Sequence, residues 1–460
     1  MTGAAQSADS PSRPRVAVVG GGIAGLAAAS RLAPQCDVTV FESAPRLGGH
    51  ANTVEITLAA ADGRPATHGV DTGFLVFNHR TYPRLVALFA DLGIECAASE
   101  MSFSVQAPRG ADGRGRLEWA GTSLDSVFAD RVNLLRPRFH GMLLDLLRFN
   151  RLTTALAESG ADTALAQPLA EFLAAHRFGN AFRDDYLLPM IGCIWSCPTT
   201  QMLRFPIGTL IRFCHNHGLL QVRERPQWYT VRGGSRRYVD RLASRIGHVR
   251  LATPVLGVSR DERQGRGVAL RTADGTERFE HVVLACHAPQ ALALLVDADS
   301  DERRVLGALR TQANAAVLHT DTRLLPSRRA AWASWNYERA DGADAGDHRV
   351  CLHYLLNRLQ PLPWQQPVIV SLNPIRPPRP ETILGRFDYA HPVYDLQAIA
   401  AQSLVQGLQG RAHTWFCGAW TGYGFHEDGL RSGQDVAERL LASCAGAAPD
   451  IDPLPLREAA

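Results

Sequence analysis

A glycine-rich turn between an apolar strand and a helix constrains the fold more than any other feature of the chain. Residues 16–19 form an apolar run suited to a buried parallel strand, and residues 24–32 follow as a helix. Between them, Gly20, Gly22 and Gly25 form a GxGxxG pattern. The first glycine permits a tight turn, the second lets the backbone approach a pyrophosphate, and the third allows the helix to pack closely on the strand. The pattern predicts a βαβ unit that binds phosphate groups at the helix N-terminus.

The residues after this helix extend the prediction. Residues 38–41 return as the second strand, and Glu42 ends it, where a carboxylate accepts hydrogen bonds from the ribose hydroxyls of an adenosine. Arg46, Gly48 and Gly49 belong to a second glycine motif, Arg-Leu-Gly-Gly, that most such units lack. This extension resembles that of the amine oxidase and phytoene desaturase superfamily of flavoproteins, in which it lies along FAD. The resemblance therefore favours FAD over NAD as the cofactor.

A motif near the C-terminus resembles the flavin motif of the same superfamily. In residues 414–440 a strand ends at Gly418, a glycine-rich loop follows, and an amphipathic helix is predicted to begin at Gly429. The resemblance implies that the N-terminus of this helix points at the flavin pyrimidine. A helix N-terminus stabilises a nearby anion by ~0.3–2 kcal/mol, which suits the negative charge of a reduced flavin.

The resemblance implies a set of residues that line the FAD. They are Gly20, Gly22, Ile23, Ala24, Gly25, Glu42, Arg46, Gly48, Gly49, Val255, Gly418, Asp428, Gly429 and Leu430.

The resemblance also implies an α/β fold in which two domains are interleaved. The first is a Rossmann-type FAD-binding domain, doubly wound and similar to that of glutathione reductase, and the second is an α+β substrate domain. The FAD-binding domain is predicted to comprise residues 15–71, 225–290 and 406–443. The substrate domain then comprises residues 72–224 and 291–405, and residues 1–14 and 444–460 are expected to be flexible tails.

Periodicity predicts further elements in both domains. Strands are predicted at residues 249–253, 267–271, 279–286, 317–320, 350–355 and 368–372, with a hairpin turn at Asp274-Gly275, and helices at residues 134–156 and 168–177.

The composition fits an enzyme with large buried cores, since 46% of the 460 residues are hydrophobic and 20% are charged. A net charge of +3 is too small to indicate a nucleic-acid partner. The apolar runs are too short to span a membrane, and residues 1–14 lack the apolar segment of a signal peptide. Nine cysteines at scattered spacings suit a reducing compartment, so we expect a cytoplasmic protein.

Two features of the composition exclude classes of chemistry. Every one of the 48 basic residues is Arg, so a lysine Schiff base, a P-loop lysine and a lysine general base are impossible. Cys193 and Cys197 are separated by three residues, and no nearby His or Cys completes a zinc set, so we expect no metal. Cys36 stands alone, unlike the cysteine pair of the disulfide reductases.

Motifs over residues 15–440 resemble a bacterial group described as predicted NAD/FAD-binding, amine-oxidase-like proteins. Among these motifs are DTGFLVFNHRTYP, RPQWYTVRGGS, NRLQ, AHPVYD and GFHEDGLRSG. The group's resemblance to carotenoid desaturases and its association with lipid-modifying enzymes imply a fatty acyl or isoprenoid-like substrate. We therefore predict a dehydrogenation, or desaturation, with hydride transfer to flavin N5. Two alternatives stay open: the oxidation of an amine, and a flavin-carrying partner of a lipid-modifying enzyme that has no turnover of its own.

Two histidines are the catalytic candidates. His426 lies three residues before Gly429, where similar amine oxidases carry a tyrosine stacked near the flavin. That departure, with the missing lysine that those enzymes place near N5, argues against ordinary amine oxidation. We predict that His426 accepts a proton with a pKa near neutrality, the alternative being a histidine bonded to loop backbone. His50 is the second candidate, or else an exposed loop residue, whereas Trp195 and Tyr229 are expected to be pocket walls or core.

Residues 131–151 combine positive charge with apolar side chains. The five arginines are Arg131, Arg136, Arg138, Arg148 and Arg151, and Asp145 is the only acid. The apolar residues are Leu134, Leu135, Phe139, Met142, Leu143, Leu146 and Leu147. A lipid substrate leaves a bilayer to reach the flavin, so this basic amphipathic segment is predicted to lie at the mouth of the substrate channel and to contact the inner membrane surface. The alternative is an ordinary helix whose apolar side packs on its own domain.

Overall fold

The structure is a computed structural model that describes residues 13–107, 116–161, 165, 167–195, 199–221, 225–260, 267–340 and 350–446. Spatial contacts divide these residues into two compact units. Unit one contains residues 13–49, 239–307 and 402–446, and unit two contains residues 50–238 and 308–401. Cys197 and most residues of the two expected tails, 1–12 and 447–460, lie outside the described residues.

Unit one contains a five-stranded parallel sheet. In spatial order its strands are His248–Arg250, Asp37–Phe41, Arg15–Val19, His281–Leu284 and Thr414–Phe416. Residues 16–19 are buried, as expected for a central strand of a sheet whose two faces are both covered. The Rossmann-type α/β fold predicted from the glycine-rich turn is confirmed.

The helices of unit one pack closely because small residues lie where they meet. A Cβ on Gly433 would lie 2.1 Å from the carbonyl oxygen of Ala24, so the C-terminal helix can approach the first helix only with glycine there. The helices are Ile23–Leu32, Ala288–Leu294, Ser300–Ala308 and His426–Cys444, and shorter 3₁₀ turns occur at Val405–Leu408, Arg411–His413 and Ala419–Thr421.

A small antiparallel sheet also belongs to unit one. Its strands are Gly257–Ser259, Val268–Thr272 and Gly275–Phe279. Thr272 pairs with Gly275, so the predicted hairpin is present, but its tight turn is Ala273-Asp274 and not Asp274-Gly275 as predicted.

Unit two is built on a seven-stranded mixed sheet. In spatial order its strands are Ile383–Pro392, Thr311–His319, Ile369–Leu372, Cys351–Leu355, Trp335–Glu338, Phe103–Ala107 and Leu117–Ala120. Trp335–Glu338 runs parallel to Phe103–Ala107, and the other pairs are antiparallel.

Smaller sheets and most of the helices complete unit two. One sheet pairs Thr53–Ala59 with Pro65–Asp71, and another joins Phe77–Asn78, Trp228–Val231 and Cys96–Ser99. The α-helices are Pro83–Asp91, Leu124–Val127, Pro137–Glu158, Leu169–Ala175, Asn180–Phe182, Leu188–Trp195, Thr199–Met202, Ile207–Asn216 and Leu356–Leu359. Short 3₁₀ helices lie at Arg131–Leu135, Thr322–Leu324, Arg329–Ala331 and Pro380–Thr382, and a π-helical turn at Arg183–Leu187. The helices Arg236–Ala243 and Leu396–Leu404 span positions at which the chain passes between the units.

Several predicted elements differ from the structure. The strand predicted at residues 249–253 is the shorter His248–Arg250, and the one predicted at residues 317–320 is the end of the longer strand Thr311–His319. The strand predicted at residues 279–286 is the end of one strand and a second one, His281–Leu284. The helix predicted at residues 134–156 is a 3₁₀ turn, Arg131–Leu135, followed by the helix Pro137–Glu158, because proline favours the first turn of a helix and keeps its preceding residue extended. The C-terminal helix begins at His426 rather than at Gly429.

The grouping of residues differs from the predicted domain boundaries at four places. Residues 291–307 and 402–405, which were assigned to the substrate domain, group with unit one. Residues 50–71 and 225–238, which were assigned to the FAD-binding domain, group with unit two. A grouping by contacts does not identify the residues that touch a cofactor, so the domain assignment stays a prediction. None of the helices in the described ranges is long and apolar enough to cross a membrane.

Candidate functional site

The glycine-rich turn of unit one has the geometry that its sequence predicts. Gly20 has a φ of 112°, in the region that favours glycine. A Cβ on Gly25 would lie 1.9 Å from the carbonyl oxygen of Gly20, so the helix packs against the turn only with glycine at this position. A Cβ on Gly22, in contrast, would meet no atom within 4 Å. Gly22 therefore faces open space at the N-terminus of the helix, where a pyrophosphate can approach the backbone.

Glu42 lies beside this turn. Its carboxylate accepts a hydrogen bond from the backbone N–H of Gly21 at 2.7 Å and another from Ala44 at 2.8 Å. The N–H of Thr253 donates to the backbone carbonyl of Glu42 at 2.9 Å, which brings the segment that contains Val255 to the same end of the sheet. Val255 is half-buried there.

The second glycine motif lies against the first. The N–H of Gly48 donates to the carbonyl of Gly21 at 2.8 Å. Gly49 has a φ of 57°, and a Cβ on it would lie 3.3 Å from the Cα of Gly22. Arg46 closes the loop by donating to the carbonyls of Leu47 and Gly49. The two glycine motifs therefore form one continuous surface.

The C-terminal motif meets the N-terminal unit at Ile23. A Cβ on Gly429 would lie 2.9 Å from Cγ2 of Ile23, and Leu430 is fully buried. Gly418 is held to the same helix because its N–H donates to the hydroxyl of Ser432 at 2.9 Å. The structure thus brings the two motifs together, although nearly the whole chain separates them in sequence.

Asp428 orders the loop before the C-terminal helix. Its buried carboxylate accepts hydrogen bonds from the backbone N–H groups of Tyr423 and Phe425, each at 3.0 Å, and pairs with Arg431 at 2.8 Å. Burial raises the pKa of Asp428, while Arg431 and the backbone donors act against that rise. Asp428 therefore shapes the turn through three groups of its own segment.

His426 is the first residue of the C-terminal helix and is buried. Burial lowers the pKa of its imidazole to about 3. The predicted pKa near neutrality is therefore wrong, because the low-dielectric surroundings disfavour the charged ring. His426 is a neutral side chain at physiological pH, and its role in turnover stays a prediction.

His50 belongs to unit two and is half-buried, so the alternative of an exposed loop residue is wrong. Its ring stacks on Tyr389, with the ring centroids 5.0 Å apart, and lies 5.3 Å from the ring of His391. The Tyr389 hydroxyl accepts a hydrogen bond from Asn52 Nδ2 at 3.0 Å and lies 2.7 Å from the hydroxyl of Thr72. The catalytic role predicted for His50 is untested, but it has aromatic and polar neighbours.

The sequence analysis missed Tyr389 and His391. Both lie on the strand Ile383–Pro392, and residues two apart on a strand point to the same face. In the sequence, the aromatic residues on either side of Ala390 are only a weak indication of a site. They become informative once the structure shows that His50 lies beside them.

A buried hydrogen-bond network in unit two was also missed. The Asp71 carboxylate accepts hydrogen bonds from the hydroxyl of Thr53 at 2.6 Å, from the N–H and hydroxyl of Ser235, and from the Gln360 amide. Burial raises the pKa of Asp71, whereas these donors lower it. Residues of three of the family-like motifs therefore converge on one buried carboxylate.

Glu338, Cys351 and His353 form a buried cluster in the large sheet of unit two. One metal-ligand atom from each lies within 4.8 Å of the others. However, the Glu338 carboxylate is already paired with His353 at 2.9 Å and with Arg376 at 3.1 Å. Its charge is thus balanced by two cations, so the cluster is explained as an ion-pair network, and the expected absence of a metal stays a prediction.

Trp195 and Tyr229 differ in surroundings. Trp195 is buried against Phe205 and Phe213, with ring centroids 4.8 and 4.6 Å away, which places it in the core of unit two. Tyr229 is half-buried and stacks on His79 at 4.5 Å.

The residues of unit one fit FAD. The open side of Gly22 would receive the pyrophosphate, Glu42 would accept hydrogen bonds from the adenosine ribose, and the N-terminus of the helix His426–Cys444 would face the flavin. The burial of His426 and Leu430 supplies the apolar surroundings that a flavin ring needs.

Comparisons with known proteins agree with this geometry. Residues 23–355 match the family model described as flavin containing amine oxidoreductase. AofH of Mycobacterium tuberculosis, which is classed as a flavin-containing monoamine oxidase, is 26% identical over 294 residues. That alignment covers 61% of this chain and 59% of AofH, so the chain spans less than two thirds of the length of this relative.

Solved structures show the same fold. A fatty acid isomerase from P. acnes that produces CLA superposes with a TM-score of 0.64 and 17% identity, covering 93% of this chain and 98% of that one. Cyclohexylamine oxidase from Brevibacterium oxydans also gives a TM-score of 0.64 and 17% identity, covering 94% and 100% of the two chains. A putrescine oxidase gives 0.64 at 15% identity, covering 94% and 99%. At these identities the likeness shows the fold alone.

Proposed function

Because the chain belongs to the flavin-containing amine oxidoreductase family and is an FAD-dependent oxidoreductase, we propose that it dehydrogenates a hydrophobic substrate, a fatty acyl or isoprenoid-like chain. When bound, FAD supplies the acceptor for the hydride that such a reaction removes. The protein's part is to bind the substrate in apolar surroundings, to exclude water and to orient the bond that is oxidised.

One observation carries the choice of a desaturation over amine oxidation: the first residue of the C-terminal helix is a buried, neutral histidine. Similar amine oxidases place a tyrosine near the flavin there and a lysine near N5, whereas this chain has His426 and contains no lysine at all. A buried imidazole whose pKa is lowered to about 3 carries no charge at physiological pH. The face of such an uncharged ring is an apolar wall, which suits a hydrocarbon chain. Its edge can form a hydrogen bond.

The fold also supports a lipid substrate. The superposable isomerase from P. acnes is described as acting on a fatty acid, so the architecture can accommodate an acyl chain. In unit two, three helices provide the buried side chains of Phe149, Phe172 and Phe182. These features support a large apolar domain and do not identify one substrate.

Amine oxidation is the second candidate, and specific observations favour it. AofH and cyclohexylamine oxidase are both described as acting on amines, and the family model bears the same description. In unit two, His50 and Tyr389 stack as an aromatic pair that could contact a substrate amine.

Anaerobic spectrophotometry separates the two candidates. The purified yellow protein is mixed under nitrogen with phospholipid vesicles, with detergent-dispersed fatty acids, or with a panel of primary amines. We expect lipid, and not amines, to bleach the flavin absorbance near 450 nm, and we expect mass spectrometry to find acyl products lighter by two hydrogens.

The controls are the cofactor-free Gly22→Asp variant, which should yield no product, and a vesicle-free blank. Flavin bleaching by amines with release of hydrogen peroxide in air would favour the second candidate. A flavin that no lipid and no amine reduces would contradict both and would leave the flavin-carrying partner of a lipid-modifying enzyme.

A further inference from the structure

Exposed apolar side chains are concentrated in one short stretch of unit two. Thirteen large apolar side chains of the described residues are exposed, and six of the thirteen lie within residues 124–147. Leu135 and Leu124 have 85% and 79% of their surface exposed. We call this set the docking face; its members are Leu124, Val132, Leu134, Leu135, Leu144 and Leu147.

The helix Pro137–Glu158 is apolar on two sides, and only one of them packs. Phe139, Met142 and Phe149 are buried, so the prediction that Phe139 and Met142 contact a membrane is wrong. Residues two positions apart on a helix are rotated by about 200° about its axis, so Leu144 lies on the side opposite Met142. The ordinary packing of an amphipathic helix therefore explains the buried side of this helix. The docking face has no packing partner among the described residues.

The docking face has positive charge at its edges. Arg131, Arg148 and Arg151 are exposed, and residues 131–151 contain five arginines but a single acid, Asp145. Arg148 lies over the ring of Phe178, 4.2 Å from its centroid, which holds the guanidinium near the apolar surface. Planar guanidinium groups pair well with phosphate.

Four of the five arginines have partners within the protein. Arg131 pairs with Asp125, and Arg148 pairs with Asp145 at 3.2 Å and donates to the backbone carbonyls of His176 and Arg177. Arg136 donates to the carbonyl of Arg116 and to Asn133, each at 3.0 Å. Arg138 is partly buried and lies 3.7 Å from Asp185. These two arginines hold the helix in place, so a test of membrane contact has to leave them unchanged.

We propose that the docking face binds the surface of an anionic phospholipid bilayer, with its aliphatic side chains among the acyl chains and its arginines on the phosphates. The inference rests on the proposed function, because a lipid substrate has to leave a bilayer to be oxidised. The six side chains are all leucine or valine, which are under-represented in the hot spots of protein–protein interfaces, where tryptophan, tyrosine and arginine dominate. Aliphatic side chains edged by arginine are typical of segments that lie in a membrane interface.

Vesicle flotation of the full-length, FAD-loaded protein tests the proposal. Vesicles of phosphatidylcholine with 30% phosphatidylglycerol are compared with pure phosphatidylcholine, at low and at high salt. We expect flotation with the anionic vesicles at low salt. Each arginine near an anionic surface strengthens binding by about fivefold, so Arg131→Gln with Arg151→Gln should weaken it by about 25-fold, and Arg148 is left unchanged because it donates to two backbone carbonyls. Leu135→Ser with Leu144→Ser and Leu147→Ser should abolish it.

Matched variants control for the general loss of charge or apolar surface. The basic control is Arg64→Gln with Arg304→Gln, and the apolar control is Leu251→Ser with Val296→Ser and Leu404→Ser; all five side chains are exposed outside the docking face. Both controls should float like the wild type. Failure of the wild type to float, or equal flotation of the docking-face variants, would overturn the proposal, as would a dimer that these variants dissociate.

A detergent assay distinguishes this proposal from the proposed function. Flavin reduction by a detergent-dispersed lipid needs no docking, so the docking-face variants should keep the wild-type rate there and lose it only with vesicles. Flavin reduction in detergent without flotation of the wild type would refute the docking face alone. Flotation with no flavin reduction by any lipid would refute the substrate proposal and leave the docking face standing.

Discussion

Asp71 and Gln360 form a reciprocal pair in the core of unit two, although 289 residues separate them. The amide of Gln360 donates to the Asp71 carboxylate at 2.9 Å, and its carbonyl accepts the backbone N–H of Asp71 at 3.1 Å. Both residues are almost fully buried. One side chain thus forms hydrogen bonds with two polar groups of the strand Pro65–Asp71, in addition to those that Thr53 and Ser235 donate to the carboxylate.

Gln360→Ala should destabilise the protein by about 1–3 kcal/mol, because it leaves a buried carboxylate and a buried N–H each short of a partner. The control is Gln365→Ala, five residues further on at an exposed position, which should change stability by less than about 0.5 kcal/mol. Urea unfolding followed by circular dichroism measures both. Equal midpoints for the two variants would contradict the importance of the pair.

This pair also shows where prediction from sequence stops. The βαβ unit was predictable because its strand, glycine turn, helix and acid are contiguous, and each glycine has a local steric reason. The partners of Asp71 were not, because no periodicity records which distant side chains meet. Residues 131–151 show the same limit: the apolar pattern is right, but the sequence could not tell that Met142 packs while Leu144 is exposed. The pKa of His426 depends on burial, which only the folded chain defines.

Gly22→Asp should yield a folded but colourless protein. Gly22 has an ordinary extended conformation, with φ −76° and ψ −179°, and a Cβ there meets nothing, so the variant should not disturb the chain. Its carboxylate would instead occupy and repel the site of the pyrophosphate. Gly247→Asp, which also meets no neighbouring atom, is the control and should stay yellow. Absorbance at 450 nm per protein after purification is the readout, and a flavinated Gly22→Asp would remove the basis for the FAD site.

The flavin should be released by acid precipitation, because the cysteine of the C-terminal motif is not placed to react with it. Cys417, the cysteine of the C-terminal motif, is fully buried, and its backbone N–H donates to Leu284 of the neighbouring strand. Burial raises the pKa of its thiol, which disfavours the reactive thiolate. Yellow colour in the supernatant, unchanged in Cys417→Ser, is expected. Colour retained in the wild-type pellet and lost in the variant would contradict this.

His426→Ala should keep the flavin and lower the rate of substrate-driven flavin reduction by less than about tenfold. A general base contributes ~10²–10⁴-fold only when its pKa lies near the working pH, and burial lowers the pKa of His426 to about 3. The rate should therefore show no inflection from this residue between pH 5 and 9. His248→Ala, an exposed histidine of the same unit, is the control. A loss of 100-fold or more, together with the disappearance of an inflection near neutrality, would restore the role of proton acceptor.

Because of the ion pair between His353 and Glu338, the free energy of unfolding should decrease as the pH becomes alkaline. Burial lowers the pKa of His353, but Cys351 and Glu338 beside it outweigh that effect and raise the pKa from 6.5 to about 9. A raised histidine pKa gives stability that is fully present below pH 6.5 and is lost as the pH rises through about 9. The pKa of Glu338 is lowered, because His353 and Arg376 outweigh burial, so its contribution is present above pH 4.5 and is lost only in stronger acid.

His353→Gln should therefore cost most near pH 6, by an amount on the order of 1–3 kcal/mol, and much less at pH 10, where the wild-type imidazole has lost its proton. The control is His140→Gln at an exposed position of the same unit. Thermal unfolding midpoints of the three proteins, measured at intervals from pH 5 to pH 10, provide the comparison. A His353→Gln penalty that is constant over this range would show that the imidazole does not change its protonation state there, which would contradict a pKa of about 9.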